Sequence, residues 1–422
     1  MTSWQSARLG DHIRIKHGFA FQGEYFTDHG QYIVLTPGNF LESGGFKPKS
    51  RVEKYYAARP PSGFVLRRGD LVIAMTEQAE GLLGSSALIP LDNTYLHNQR
   101  IGLVHQCSKD TDLRYLYYLF NTNGVRTQIQ ATATGTKVRH TAPARVENVS
   151  VRLPPLATQR KIAAILSTYD YLIENSNRRI KLLEEVSQRI YSEWFVDFRY
   201  PGHEAIPLVD SELGPIPENW AVRAVVEVTE LITRGVTPRY ADTANQIVIN
   251  QKCIRDGKLN LAFARPHVTN VPPFKLVRHG DILINSTGVG TLGRVAQTLR
   301  PPERIAVDSH ITIVRPSTGV VTEDFLGLTL LERESDLQAL GVGSTGQTEL
   351  GREAIGKVQI VVPPLGVQQR FSQSLAALRG LPLLLAETAT RLRVSRELLL
   401  PRLISGELDV SGLEIATREY AA

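Results

Sequence analysis

A junction that occurs twice does most to limit how this chain can fold. Leu153-Pro154-Pro155-Leu156, followed by Gln159-Arg160, returns as Val362-Pro363-Pro364-Leu365, followed by Gln369-Arg370; the proline pairs lie 209 residues apart. In each copy a β-like run ends at the prolines and a long helical pattern begins. Proline suits that place: it cannot donate to a sheet ladder, it biases the preceding residue toward extended backbone, and it is tolerated in the first turn of a helix. From Leu156 to about Tyr200 no Gly or Pro interrupts the pattern. Some 40 helical residues would make a rod of roughly 60 Å. Apolar residues recur at Ile162, Ile165, Tyr169, Leu172, Leu183, Val186 and Ile190, a stripe that Ser176 and Arg179 break. The second copy carries Phe371, Leu375, Leu378, Leu385, Leu392 and Leu399, with Pro382 expected to kink or interrupt it. Neither stripe can be buried by its own helix, so the two are expected to pair as an antiparallel coiled coil.

The segments between the helices repeat as well. Arg67-Arg68-Gly69-Asp70-Leu71-Val72-Ile73 matches Arg278-His279-Gly280-Asp281-Ile282-Leu283-Ile284 at an offset of 211 residues, and at that offset His97-Asn98-Gln99 falls opposite Asp308-Ser309-His310. The loop at His17-Gly18 has its counterpart at Arg234-Gly235, and Thr134-Gly135-Thr136 has one at Thr345-Gly346-Gln347. Strand candidates, among them Leu9–Ile15, outnumber helices in both segments. The fold class is therefore α/β (α+β): two β-rich domains separated by two long helices, related by internal duplication and a pseudo-two-fold axis. The boundaries read as 1–155, 156–200 for the first helix, 201–362 with a Pro/Gly-rich linker at 201–220, and 363–422 for the second helix and tail.

Composition narrows the function. Residues 1–155 hold 18 Lys/Arg against 12 Asp/Glu, and residues 223–304 hold 12 against 6. Positive charge thus sits in the β-rich segments, which fits a nucleic-acid partner. No apolar run approaches a membrane span. The first residues lack the apolar centre of a signal peptide, so the chain is expected to be cytoplasmic. Cys107 and Cys253 make neither a metal site nor a disulfide framework. Gly288-Val289-Gly290-Thr291-Leu292-Gly293 fits a dinucleotide fingerprint. The next residues, Arg294-Val295-Ala296, are β-like where that motif needs a helix, so a turn between strands is the better reading. There is no phosphate-loop motif, nucleophile elbow, metal-spaced cluster or adenine-methyltransferase tetrapeptide. Together these absences favour a binding protein.

With these features in order, the chain resembles the specificity subunit of type I restriction–modification systems. The resemblance rests on Gly18-Phe19-Ala20-Phe21, the two Gly-Asp turns and the two Pro-Pro-Leu junctions. It also rests on Trp194-Phe195-Val196-Asp197-Phe198-Arg199 with Ile216-Pro217-Glu218-Asn219-Trp220, and on Leu400-Pro401-Arg402-Leu403-Ile404-Ser405-Gly406. Unit two departs by carrying Gly235-Val236-Thr237-Pro238 in place of the Gly-Phe-Ala-Phe loop. The resemblance implies two target recognition domains, each reading half of a bipartite site in double-stranded DNA. The helices would set the gap and dock two modification (methyltransferase) subunits, with restriction subunits joining that core. It implies no cofactor on this chain; S-adenosylmethionine, and ATP with Mg, would act on the partners. The alternatives are a standalone DNA methyltransferase or nuclease with a diverged site, or an orphan or decoy subunit.

Base readout wants Arg, Lys, Asn, Gln, Ser or Thr on loops, and phosphate contacts want Lys, Arg and loop N–H groups. The candidates for DNA contact are Phe19, Gln22, Lys137, Arg139 and His140 in the first domain. In the second they are Arg234, Thr237, Arg239, Thr287, Thr291, Arg294, Gln347 and Thr348. Asp70 and Asp281 read as structural.

Overall fold

The computed structural model describes residues 4–48, 53–78, 81–343 and 348–415, so the candidate Gln347 lies outside the described residues. The chain forms two compact units. The first joins residues 1–177 to 386–422, and the second is the continuous stretch 178–385. Each unit contains one β-rich body and a part of each long helix.

The bodies are built alike. In the first, Gln5–Arg8 pairs antiparallel with Ser150–Leu153; in the second, Ala221–Ala224 pairs with Gln359–Val362. The strand that closes each body is the one that runs into the proline pair. Just beyond it a buried glutamine fastens the helix to the body. The Gln159 side chain accepts from Asp112 N–H (2.9 Å) and donates to the carbonyls of Asp110 and Pro154 (2.9 Å each). The Gln368 side chain accepts from Thr322 N–H (2.8 Å) and donates to the carbonyls of Val320 (3.3 Å) and Pro363 (2.8 Å). Every polar atom of these buried amides is therefore satisfied, as burial demands.

A four-stranded antiparallel sheet centres each body. Its order is Ile13–His17, Ile101–Gln106, Leu71–Ala74, Ser86–Leu88 in the first unit. In the second it is Thr229–Arg234, Ile311–Pro316, Ile282–Asn285, Val295–Gln297. Leu9–Asp11 is a 3-10 turn, so the expected first strand starts later, at Ile13. Leu71–Ala74 is fully buried because successive side chains serve two cores. Leu71 and Ile73 join the cluster of Leu116, Phe120 and Leu166, while Val72 and Ala74 join that of Leu35, Phe40 and Ile89. Ile282 and Ile284 face Phe325 and Leu330, and Leu283 faces Ile249 and Cys253. Burying each such side chain contributes roughly 1.5–3 kcal/mol, so a charge at Val72 or Leu283 would break its layer. A second, smaller sheet in each unit contains one parallel pair: Tyr32–Val34 with Tyr95–Leu96, and Gln246–Ile249 with Ala306–Val307.

The long helices span Leu156–Tyr191 and Leu365–Ser405. In the first unit Ile162 and Leu166 share a core with Leu403 and Ile404; in the second Tyr191 and Phe195 share one with Val367, Phe371 and Leu375. The start of each helix thus meets the end of the other, which makes the pair antiparallel. The seam alternates steps of four and three without a break. It runs from Ile162 through Leu166, Tyr169, Ile173, Ser176, Ile180, Leu183 and Ser187 to Ile190, and all nine are buried or half-buried. The second helix supplies Phe371, Leu375, Leu378, Pro382, Leu385, Ala389, Leu392, Arg396, Leu399 and Leu403 in the same alternation.

This register corrects parts of the expected stripe. Leu172 and Val186 lie one position off the seam and are 43% and 45% exposed. Ile165 is also off it, half-buried against the first core. Ser176, expected to break the stripe, is a buried seam residue whose hydroxyl donates to the Leu172 carbonyl (2.8 Å). Pro382 does not interrupt its helix. It removes one N–H donor, but seam residues on both sides are buried, and the loss of one hydrogen bond does not end a helix held by its neighbours. The first helix stops short of Tyr200: it closes in a π turn, Ser192–Val196, with Asp197 N–H donating to the Ser192 carbonyl (2.9 Å) and Phe198 left-handed at φ 58°. Trp220 packs on this end through Phe195 and Phe198, with ring centroids 5.9 and 5.3 Å away. In the first unit Trp4 lies against Gly406, at the end of the second helix.

Candidate nucleic-acid interface

In an antiparallel sheet, the end of one strand lies beside the start of its neighbour. In the first unit, the loop after Ile13–His17, the turn before Ile101–Gln106 and the segment after Leu71–Ala74 therefore gather at one sheet end. Backbone hydrogen bonds lace them together. Phe19 N–H donates to the His97 carbonyl (2.9 Å), Met75 N–H to Arg100 (3.0 Å) and Thr141 N–H to Met75 (3.0 Å). Arg139–His140 pairs with Thr76–Glu77. The second unit repeats this lacing: Val236 N–H donates to the Val307 carbonyl (3.0 Å), Ser286 N–H to His310 (2.9 Å) and Leu350 N–H to Ser286 (2.8 Å). Thr348 and Glu349 thus stand where Arg139 and His140 stand in the first unit.

These bonds also reset the repeat. Ile101 N–H donates to the Asn98 carbonyl (2.9 Å), and Ile311 N–H to that of Asp308 (3.2 Å). The Asn98 side chain accepts from Arg100 N–H (3.2 Å), and that of Asp308 from His310 N–H (2.9 Å). Asn98 therefore corresponds to Asp308, and His97 to Val307, one residue away from the match at an offset of 211.

The candidate residues divide by what they already touch. Gln22, Lys137 and His140 are exposed, Lys137 within the hairpin closed by Thr134 and His140. Phe19 is half-buried, its ring 5.2 Å from Phe21 and 5.4 Å from Phe64, over which the Lys16 ammonium lies at 4.4 Å. Arg139 is committed internally: it bonds the Glu77 carboxylate (3.2 Å) and the Gln130 carbonyl (2.7 Å). That buried carboxylate also accepts from the N–H groups of Gly81, Leu82 and Leu83, at 3.1, 3.0 and 2.8 Å, and so fixes the start of the next loop.

In the second unit Thr237 and Arg239 are exposed. Arg234 is committed, donating to the Ser309 carbonyl (3.1 Å), the Leu350 carbonyl (2.9 Å) and the Glu349 carboxylate (2.6 Å). Burial lowers its pKa while Glu349 opposes the shift, and a guanidinium stays charged regardless. Thr287 bonds the His310 ring at Nδ1 (2.9 Å), and its carbonyl accepts from Gln251 (2.8 Å) and from the Thr291 hydroxyl (3.3 Å). Thr291 and Arg294 lie on the glycine-rich loop, a connection between two antiparallel strands, where Arg294 donates to the Gly290 carbonyl (2.8 Å). Thr348 is half-buried beside the same sheet end. Sequence reasoning missed the exposed pair Gln99 and Arg100 and their counterparts Ser309 and His310. The signal for them was present, since both triplets precede a central strand.

Two buried groups near these turns titrate away from their ordinary values. Burial pushes His97 down to about 4, against a hydrogen bond to the Ile101 carbonyl (2.8 Å). Burial raises Asp308, opposed by its bond from the His310 N–H. Among the described residues, no group of three His, Cys, Asp or Glu side chains is placed to hold a metal ion, and no helix is long and apolar enough to cross a membrane.

Residues 1–185 match the family described as type I restriction modification DNA specificity domain. The specificity subunit of the type I restriction enzyme MjaIX of Methanocaldococcus jannaschii is 23% identical over 304 residues, 71% of this chain and 70% of the relative. That of the Escherichia coli enzyme EcoBI is 22% identical, covering 78% and 69%. The crystal structure of a type I restriction–modification S subunit from M. genitalium has the same fold, with a TM-score of 0.59 at 14% identity over 95% of this chain and 96% of that one. Residues 1–185 thus match a type I restriction modification DNA specificity domain, and over most of its length the chain is similar in sequence to type I restriction enzyme specificity subunits, with the fold of one of them.

Proposed function

We propose that this chain is the DNA-recognition subunit of a type I restriction–modification enzyme and performs no catalysis itself. One observation carries the reading: the same laced sheet end is built twice and presents different side chains each time. One scaffold with two unlike faces suits two unlike half-sites. Recognition domains at 1–155 and 201–362 read the halves. The helices, at 156–200 and within 363–422, set the gap and dock two modification subunits, which restriction subunits join. Lys137, His140, Gln22, Thr237 and Arg239 are exposed where phosphates and base edges can reach them. Phe19, Arg139, Arg234 and Thr287 hold the loops that present them. S-adenosylmethionine, and ATP with Mg, serve the partner subunits.

The test is co-expression with a type I modification-subunit gene from the same genome, and then sequencing of the host DNA for methylated adenine. A split motif of two short parts with a fixed gap is the expected result. Methylation by this chain without the partner would overturn the non-catalytic reading, and a complex that forms but marks no motif would overturn the recognition reading.

A further inference from the structure

The central strand of each four-stranded sheet begins at the middle of the laced end, with a neighbour on either side. The turn that feeds it is built identically in the two units. An Asn98 or Asp308 carboxamide or carboxylate oxygen accepts the N–H two residues on, and the carbonyl accepts the N–H three residues on. A glycine presses on the backbone of each turn. A Cβ on Gly18 would lie 1.9 Å from the Asn98 carbonyl oxygen, and one on Gly235 would lie 2.1 Å from that of Val307 and 2.2 Å from that of Asp308. Only glycine permits that approach. Arg234 adds a bond to the Ser309 carbonyl.

The two residues that follow on this fixed backbone differ: exposed Gln99 and Arg100 in the first unit, half-buried Ser309 and exposed His310 in the second. The His310 ring is also oriented, because Thr287 engages Nδ1 and leaves Nε2 for an outside partner. A rigid backbone carrying dissimilar polar side chains is what direct readout requires. Arg suits guanine O6/N7, Gln suits adenine N6/N7, and Ser or His makes single hydrogen bonds.

We propose that this turn is the base-reading element of each recognition domain, with Gln99 and Arg100 reading one half-site and Ser309 and His310 the other. The inference rests on the recognition reading above and sharpens it to four side chains.

The experiment uses the chain assembled with its modification subunit, reading methylated motifs genome-wide for the wild type, R100A, R100K, H310A and H310Q. Exposure of both positions favours folded variants, and unfolding midpoints check this. R100A and R100K should each relax base choice at one or two positions of one half-site, with a roughly 10- to 100-fold loss of discrimination. The other half-site and the gap should stay as they were. H310A and H310Q should do the same to the opposite half. Unchanged motifs in all four variants would overturn the proposal. So would R100K behaving as wild type while R100A weakens methylation at every sequence with a shallower salt dependence, because that is a phosphate contact. A wild-type complex that marks no split motif would fail at the recognition reading, before any variant is compared.

Discussion

The two bodies share a sheet, a junction and a lacing pattern, yet they hold the same turn aspartate in opposite ways. Asp281 is fully buried and takes a two-pronged ion pair from Arg315, at 2.7 and 2.8 Å, while Arg315 also bonds the carbonyls of Phe274 and Leu276. Asp70 is half-buried. The residue of the central strand that corresponds to Arg315 is the exposed His105. Both carboxylates accept from the N–H three residues earlier, Arg67 at 2.8 Å and Arg278 at 2.7 Å. The shared bond makes the turn. The ion pair belongs to the second unit, which buries an arginine where the first carries exposed His105. Duplication thus preserved the backbone device and left its surroundings free to diverge.

The comparison breaks most sharply at that pair. Asp281→Ala leaves buried Arg315 with only the half-exposed Glu230 carboxylate, 3.8 Å away, and should cost the second unit about 3 kcal/mol, whereas Asp70→Ala loses one turn hydrogen bond and should cost about 1 kcal/mol. Urea unfolding of the two variants checks this, and equal losses would mean that the buried pair adds nothing. Where the units agree, the effects should agree. Gln159→Ala and Gln368→Ala each remove the clamp between helix and body and should each cost about 1–3 kcal/mol, measured the same way.

A smaller asymmetry is set by pH. His97 is buried and neutral, with a folded pKa of about 4 against 6.5 ordinarily, so the unfolded chain binds the proton more readily. Stability is therefore full above pH 6.5 and falls as the pH drops toward 4, by about 2 kcal/mol at pH 5. His97→Val, the residue found at the corresponding position of the second unit, should remove that dependence, which unfolding midpoints at pH 7 and pH 5 would show. Asp308 has the opposite sign. Its raised pKa favours the folded state at low pH, and that contribution is lost as the pH rises through the folded value. The smallest effects belong to Leu172 and Val186. Replacing either with Ser should change stability by no more than about 0.5 kcal/mol, while Ile173→Ser, one position away on the seam, should cost several-fold more.

How much of this was legible depended on whether a residue type implies one environment. Pro-Pro before an uninterrupted helical pattern has few solutions, so the two helices and the duplication were readable. The seam was not, because Leu172 and Val186 are as apolar as the residues beside them, while Ser176 and Ala389 carry buried seam positions on small side chains. Identity misled by one residue at two places. The matching Gln-Arg pairs suggest Gln369 as the partner of Gln159, yet Gln368 makes the bonds. The triplet before the central strand aligned one step out of register, because loop lengths differ slightly between the units. Arginine was the hardest to read. Arg139 and Arg234 have the composition of DNA contacts, and only their carbonyl and carboxylate partners reveal what they hold.

The division of the chain into units also has a bearing on biosynthesis. The second unit is one continuous stretch, 178–385, whereas the first joins 1–177 to 386–422. On the ribosome the second unit is complete as soon as residue 385 has emerged. The first must wait with half of its helix seam uncovered, because Ile162 and Leu166 can meet Leu403 and Ile404 only once those later residues have emerged. Protease protection of stalled nascent chains should therefore appear in the later-made body before the earlier-made one, an order of folding that runs against the order of translation.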